Sequence, residues 1–140
     1  MIQEPGSGAP APASGRIKVM IADDEPNIVI SLEFMMKREG FEVLVARDGP
    51  QALALIRRER PRLVLLDATM PGLTGFEVCE AVRADPDMRG TRIIMLTAKG
   101  RDTDIARGVG AGADAYVTKP FSTRDLVRQV KDMLSEGNPA

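Results

Sequence analysis

Five short apolar runs, "IKVMIA", "FEVLVA", "LVLL", "RIIMLT" and "AYVT", alternate along the chain with longer amphipathic segments. The short runs read as strands and the longer segments as helices. Strands separated by helices need crossover connections, and crossovers place helices on both faces of a parallel sheet. The alternation therefore predicts an α/β, doubly wound domain of five strands and five helices. The first helix is expected to start near Pro26, to turn Ile28, Leu32, Met35 and Met36 inward, and to stop at Gly40, a residue suited to a left-handed cap. The second runs from about Pro50 to Glu59 and is closed by Pro61. The third covers "FEVCEAVRA" and the fourth lies near "DTDIARGVG". The last is "TRDLVRQVKDMLSE" behind Ser122, with Asp125 completing something like a capping box.

With 140 residues and 44% hydrophobic content the chain has the size and apolar mass for one core and not for two. The organised region is expected over residues 16–137. Residues 1–15, "MIQEPGSGAPAPASG", read as a disordered tail without the basic start and apolar stretch of a signal peptide, and residues 138–140 as a short C-terminal tail. No run approaches the roughly 18 apolar residues of a membrane span. A net charge of -1 supplies no field that would draw the chain to nucleic acid or to an anionic membrane. A cytoplasmic, soluble protein is the expectation.

The chain holds no histidine and one cysteine, Cys79. Imidazole metal sites and His-based catalytic pairs are thereby excluded, and carboxylates, Lys, Thr and Tyr remain for any chemistry. Cys79 lies in "GFEVCEAVR" and reads as a small buried residue of a helix rather than a reactive thiol. "GVGAGAD" at 108–114 has no strand before it and reads as a helix end and a turn, not a phosphate loop. "RRERPR" at 57–62 reads as a solvated helix end.

In "IKVMIADDEPN" the first strand runs into three consecutive acids, Asp23, Asp24 and Glu25. One acid before Pro26 is explained by helix capping, but two or three are not. In doubly wound sheets the ligand crevice lies outside the carboxyl ends of the strands. There the first strand presents Asp23 and Asp24, the third Asp67, the fourth Thr97, and the fifth Thr118 and Lys119; Arg47 and Asp48, after the second strand, lie nearer the edge. Three carboxylates, a hydroxyl and an ammonium thus converge on one mouth. Stacked acids without imidazole or a thiol cluster suit a hard divalent cation held by oxygens, Mg²⁺ first of all.

The motifs "ADDE" at 22–25, "LLDATMPGLTGFE" at 65–77, "IIMLTAK" at 93–99 and "GADAYVTKPF" at 112–121, in this order, resemble the receiver domain of bacterial two-component response regulators, in particular single-domain chemotaxis-type regulators. The resemblance covers about residues 16–136. It implies a flavodoxin-like (βα)5 sheet of order 2-1-3-4-5, a fold for which a member of this family is a standard example. It makes Asp67 the phosphoacceptor, Asp23 and Asp24 the acidic pair around Mg²⁺, and the Thr69 backbone carbonyl a further ligand. It makes Thr97 the hydroxyl that bonds the phosphoryl group, Lys119 its counter-cation, Tyr116 the switch aromatic, and Lys119–Pro120 a cis peptide bond. The implied partners are a histidine kinase or histidine phosphotransfer protein and a downstream protein that docks on the fourth helix, fifth strand and fifth helix. On this reading the chain is a phosphoacceptor signalling module that assists its own phosphorylation and slow dephosphorylation. The backbone amides of Ala68 and Ala98 are expected to donate to phosphoryl oxygens.

Thr69 and Lys99 occupy positions that vary in this family and bear on phosphate lifetime. Gly108 and Gly110 weaken the fourth helix by about 1 kcal/mol each. Two other readings use the same residues. An aspartate-nucleophile phosphatase would have its nucleophile on the first strand with a second Asp two residues on, where this chain has Thr69. A degenerate receiver serving as a scaffold would have no need of the complete set of Asp23, Asp24, Asp67, Thr97 and Lys119.

Overall fold

The computed structural model describes residues 16–98 and 110–136. Five parallel strands form one sheet: β1 (Lys18–Ala22), β2 (Glu42–Ala46), β3 (Leu63–Asp67), β4 (Arg92–Ala98) and β5 (Ala115–Lys119), in the order β2-β1-β3-β4-β5. The order steps from β1 outward in both directions, which places the switch of winding between β1 and β3. Ala22 pairs with Leu66, Asp67 with Leu96 and Thr97 with Thr118, so the ends of the four strands from β1 to β5 come level with one another.

Two apolar layers cover the sheet. On one face Met20, Val64, Leu66, Ile93 and Met95 pack with Ala52 and Ile56 of α2 (Gly49–Glu59) and with Phe76, Val78, Cys79 and Val82 of α3 (Gly75–Ala84). On the other, Val19, Ile21, Leu63, Leu65, Ile94 and Leu96 pack with Val29, Leu32 and Met36 of α1 (Pro26–Arg38) and with Leu126, Val127, Val130, Met133 and Leu134 of the C-terminal helix (Thr123–Glu136). Period-2 alternation along each strand feeds both layers, so β3 is buried throughout, β1 beyond Lys18, and β4 from Ile93 to Thr97.

The helix boundaries follow local chemistry. Pro26 opens α1, and the chain leaves it through Gly40 at φ +93°. Val29 joins Leu32 and Met36 as the buried stripe, whereas Ile28 and Met35, expected inward, are half-buried. The last turn of α2 ends at Arg60, which takes φ 50° and ψ 60° ahead of Pro61. Proline disfavours the right-handed conformation in the residue before it, and here the chain turns left-handed at a non-glycine position. α3 begins at Gly75 behind a reciprocal capping box: the Thr74 hydroxyl accepts from the Glu77 N–H at 3.2 Å, and Glu77 accepts from the Thr74 N–H at 2.9 Å. Before the C-terminal helix the Ser122 hydroxyl accepts from the Asp125 N–H at 3.2 Å. The expected fourth helix lies mostly outside the described residues; Gly110 and Ala111 are helical and lead into the turn at Gly112.

Candidate functional site

The mouth at the carboxyl ends of β1, β3, β4 and β5 is lined by acids that the sheet itself delivers. Asp23, one residue beyond β1, is fully buried, and its N–H continues the sheet ladder to the Ala46 carbonyl. Its Oδ1 accepts from the Glu25 N–H at 2.9 Å. Asp67 ends β3 and is 3% exposed. Asp24 is exposed, and the three carboxylates each present an oxygen within 4.8 Å of the others.

Lys119, at the end of β5, reaches across this cluster. Its Nζ lies 2.6 Å from Glu25 Oε1, 3.1 Å from Asp23 Oδ2 and 3.5 Å from Asp67 Oδ1. The contact with Asp23 Oδ2 is a close ion pair without hydrogen-bond alignment, which leaves that buried oxygen without a bonded donor among the described residues. Burial, then the nearby Asp23 charge, pushes the Asp67 carboxyl up to about 6. Burial opposes the charge on Lys119, but Glu25, Asp23 and Asp67 together outweigh it and hold its pKa above the usual lysine value.

Thr69 folds back on the Asp67 carboxylate. Its N–H lies 3.2 Å and its hydroxyl 3.4 Å from Asp67 Oδ1. The amide of Ala68 is not free, because it donates to the Leu96 carbonyl at 2.9 Å. The expected donor role of Ala68 is therefore corrected: the amide that faces Asp67 is that of Thr69, one residue further on, where the chain has left the ladder. Thr97 lies at the end of β4 and is 1% exposed, and its hydroxyl has no hydrogen-bond partner among the described residues. Tyr116 is not in the mouth. It sits opposite Met95 in β5, half-buried against the α2/α3 layer, on the same face as Thr97 and diagonal to it. The Lys119–Pro120 bond is cis. Asp48, beyond β2, caps α2 by accepting from the Gln51 N–H and takes no part in the mouth. Lys99 and Gly108 lie outside the described residues.

An acid before Pro26 is expected to cap α1, and Glu25 is that acid. It does occupy that position, but its side chain makes no cap hydrogen bond and pairs with Lys119 instead. The donor set fits a hard cation: all the candidate ligands are oxygens, and Asp23 keeps a buried, unbonded oxygen inside the cluster. The imbalance of charge, four carboxylates from Asp23, Asp24, Glu25 and Asp67 against one ammonium, is what such an ion would correct.

This constellation coincides with a family match. The profile of the response regulator receiver domain matches residues 19–131, and the chain belongs to that family. Its fold is shared by solved structures. A Chloroflexus aurantiacus J-10-fl protein described as a response regulator is 34% identical, with a TM-score of 0.80 over 86% of this chain and 98% of that one. The chemotaxis response regulator CheY4 of Vibrio cholerae is 32% identical, with a TM-score of 0.78 over 84% of this chain and 98% of that one. The receiver domain of a sensor histidine kinase from Pseudomonas aeruginosa PAO1, which holds a magnesium ion in its active-site cleft, is 29% identical, with a TM-score of 0.76 over 84% of this chain and 96% of that one. The chain is thus a two-component signalling module. No helix among the described residues is long and apolar enough to cross a membrane.

Proposed function

We propose that this receiver domain, spanning residues 16–137, accepts a phosphoryl group on Asp67 from a phosphohistidine of a histidine kinase or phosphotransfer protein, and that the acquired charge switches its protein-binding surface. The observation that carries the reading is the mouth itself: a nearly buried carboxylate flanked by an acid pair, an ammonium 3.5 Å away and a buried hydroxyl that has no hydrogen-bond partner among the described residues. In the transfer, Asp67 Oδ bonds to phosphorus as the phosphorus–nitrogen bond to the donor imidazole breaks, and the nitrogen keeps that electron pair and takes up a proton. Nucleophile and phosphoryl group are both anionic, so the site acts by positioning and charge neutralisation. Asp23, Asp24, Asp67 and the Thr69 carbonyl would hold Mg²⁺, which supplies positive charge at the phosphoryl oxygens when bound.

The remaining work falls to this chain's own groups. The Thr69 N–H, now on Asp67 Oδ1, donates to a phosphoryl oxygen. Lys119 leaves Glu25 to neutralise another, and the Thr97 hydroxyl donates to the phosphoryl group. As Thr97 moves towards the mouth it vacates space on the face it shares with Tyr116, and Tyr116 follows inward, altering the surface around β5 and the C-terminal helix on which a downstream protein docks. The phosphodonor has its own place to rest. Asn27, Ile28 and Ser31 of α1 form an apolar groove with Pro120, Phe121 and Thr123, and Lys119 lines both groove and mouth. Ile30 and Phe34 lie exposed further along the same helix.

The test is amide chemical-shift mapping with Mg²⁺ and beryllofluoride, a phosphoryl mimic. The wild type should respond at Asp67, Thr69 and Thr97 and through residues 110–135. Thr97→Ala should bind the mimic with a reduced response beyond the mouth; an undiminished response there contradicts the Thr97–Tyr116 coupling.

A further inference from the structure

Asp67 is aimed by the loop that follows it, and that loop is gripped from α2, an element with no residue in the mouth. The Gly49 N–H donates to the Pro71 carbonyl at 3.0 Å. Gly49 is buried, and a Cβ there would fall within 2.5 Å of Leu73 Cβ and 2.7 Å of the Leu73 carbonyl carbon, closer than side chains approach. Gly72, at φ +84°, lies so close to Pro50 that a Cβ would stand 2.6 Å from the ring Cδ. At the far end of the loop the Gly75 N–H returns to the Ala68 carbonyl at 3.0 Å, and a Cβ on Gly75 would overlap the Asp67 carbonyl and stand 2.9 Å from Ala68 Cα.

None of these contacts is needed to make α2 a helix. Asp48 caps it, and Ala52 and Ile56 anchor it to the sheet. What the approach of Gly49 and Pro50 accomplishes is to fix residues 71–73, and through them the short stretch from Ala68 to Met70. That stretch carries the Thr69 N–H and hydroxyl on Asp67 Oδ1. Backbone packed against backbone has no rotamer with which to absorb a displacement, so a shift at Gly49 passes along the loop.

We infer that Gly49, supported by Pro50, is a positioning residue for phosphoryl transfer: it acts through residues 71–73 to hold Thr69 and the Asp67 carboxylate in register with the mouth. The inference rests on the proposed acceptor role of Asp67, and a misplacement of about 1 Å in such a site can cost about a hundredfold in rate.

The test compares wild type, Gly49→Ala, Pro50→Ala and Ala52→Gly. The last destabilises the same helix while leaving Gly49 and Pro50, the residues packed on Leu73 and Gly72, unchanged. Each is confirmed folded by circular dichroism and studied below its melting transition. Two quantities are read: Mg²⁺ affinity by calorimetry without phosphodonor, and the phosphorylation rate at saturating Mg²⁺ and acetyl phosphate. Gly49→Ala should slow phosphorylation by about tenfold or more and weaken Mg²⁺ binding several-fold. Pro50→Ala should move both in the same direction by less, and Ala52→Gly should stay within about twofold of wild type. Wild-type rate and affinity in Gly49→Ala, or in Pro50→Ala where the first variant does not fold, overturn the inference. Equal slowing in Ala52→Gly overturns it too, by assigning the effect to lost stability. A wild type that binds Mg²⁺ but never accepts phosphate defeats the proposed function instead, and the affinity comparison still decides the role of Gly49.

Discussion

Glu25 Oε1 lies 2.6 Å from Lys119 Nζ, the shortest of the three carboxylate contacts that this cation makes. Glu25 is outside the buried cluster and its side chain is 56% exposed, so this pair is a resting place for Lys119 rather than a strong tether. Exposed pairs contribute about 0–1 kcal/mol. Glu25→Gln should therefore change the phosphorylation rate by no more than about fivefold. Lys119→Ala removes a charge-assisted bond of about 1.5–3 kcal/mol and should slow the reaction by about tenfold to a hundredfold. Stopped acetyl phosphate reactions resolved by phosphate-affinity electrophoresis give both numbers; a larger effect of Glu25→Gln than of Lys119→Ala contradicts the assignment.

The Thr97 hydroxyl, buried and without a hydrogen-bond partner among the described residues, sets stability against function. A buried hydroxyl without a hydrogen bond costs about 1–3 kcal/mol, and Val has nearly the same shape without it. Thr97→Val should raise the urea midpoint of the metal-free protein, by about 1 kcal/mol in stability, while reducing the beryllofluoride response. A destabilised Thr97→Val would mean that the hydroxyl has a partner in solution.

Crowded carboxylates make the metal-free fold sensitive to pH. The Asp67 carboxyl rises from 3.8 to about 6 on folding, so its contribution to stability is complete below about pH 4 and is lost as pH climbs through 6. In chelator, Asp67→Asn should match the wild type near pH 4 and exceed it at pH 7 by on the order of 2 kcal/mol. Mg²⁺ should shrink that gap. Urea melts across this range check it, and a difference that does not vary with pH contradicts it.

How much of this the residues announced depends on the range of each interaction. The strands were legible because each is a short apolar run, and the mouth because a parallel sheet puts the residue after each run at the same end. Asp23, Asp67, Thr97 and Lys119 followed from that rule, whereas the roles of Tyr116 and the cis bond came only through family resemblance. Partners chosen by side-chain reach were not legible. Glu25 and Lys119 are 94 positions apart, and nothing local distinguishes a capping acid from one that leans across the mouth. The Ala68 amide was misread because a one-residue difference in where a strand leaves its ladder decides which N–H is free. The grip of Gly49 on Leu73 was invisible, since a glycine before proline reads simply as a helix start.

Arg83 illustrates the same limit. Its guanidinium donates to the carbonyls of Gly112 at 2.8 Å and Thr91 at 2.7 Å and to Asp114 Oδ2 at 2.8 Å, which ties α3 to the segments before β4 and β5. Arg83→Ala strips charged donors from several half-buried acceptors and should destabilise the fold by about 2–4 kcal/mol. Because these bonds lie at the opposite end of the sheet from Asp67, the phosphorylation rate of the folded variant should stay near that of the wild type. Chemical denaturation and the acetyl phosphate assay separate the two effects.

The central claim is that Asp67 receives the phosphoryl group. Intact-mass analysis after incubation with Mg²⁺ and acetyl phosphate, followed by reductive mapping of the acyl phosphate, tests it most directly. The account predicts addition of a single phosphoryl group, located on Asp67, dependent on divalent cation and absent from a folded Asp67→Asn. No addition to the wild type, or undiminished addition to Asp67→Asn, would contradict it.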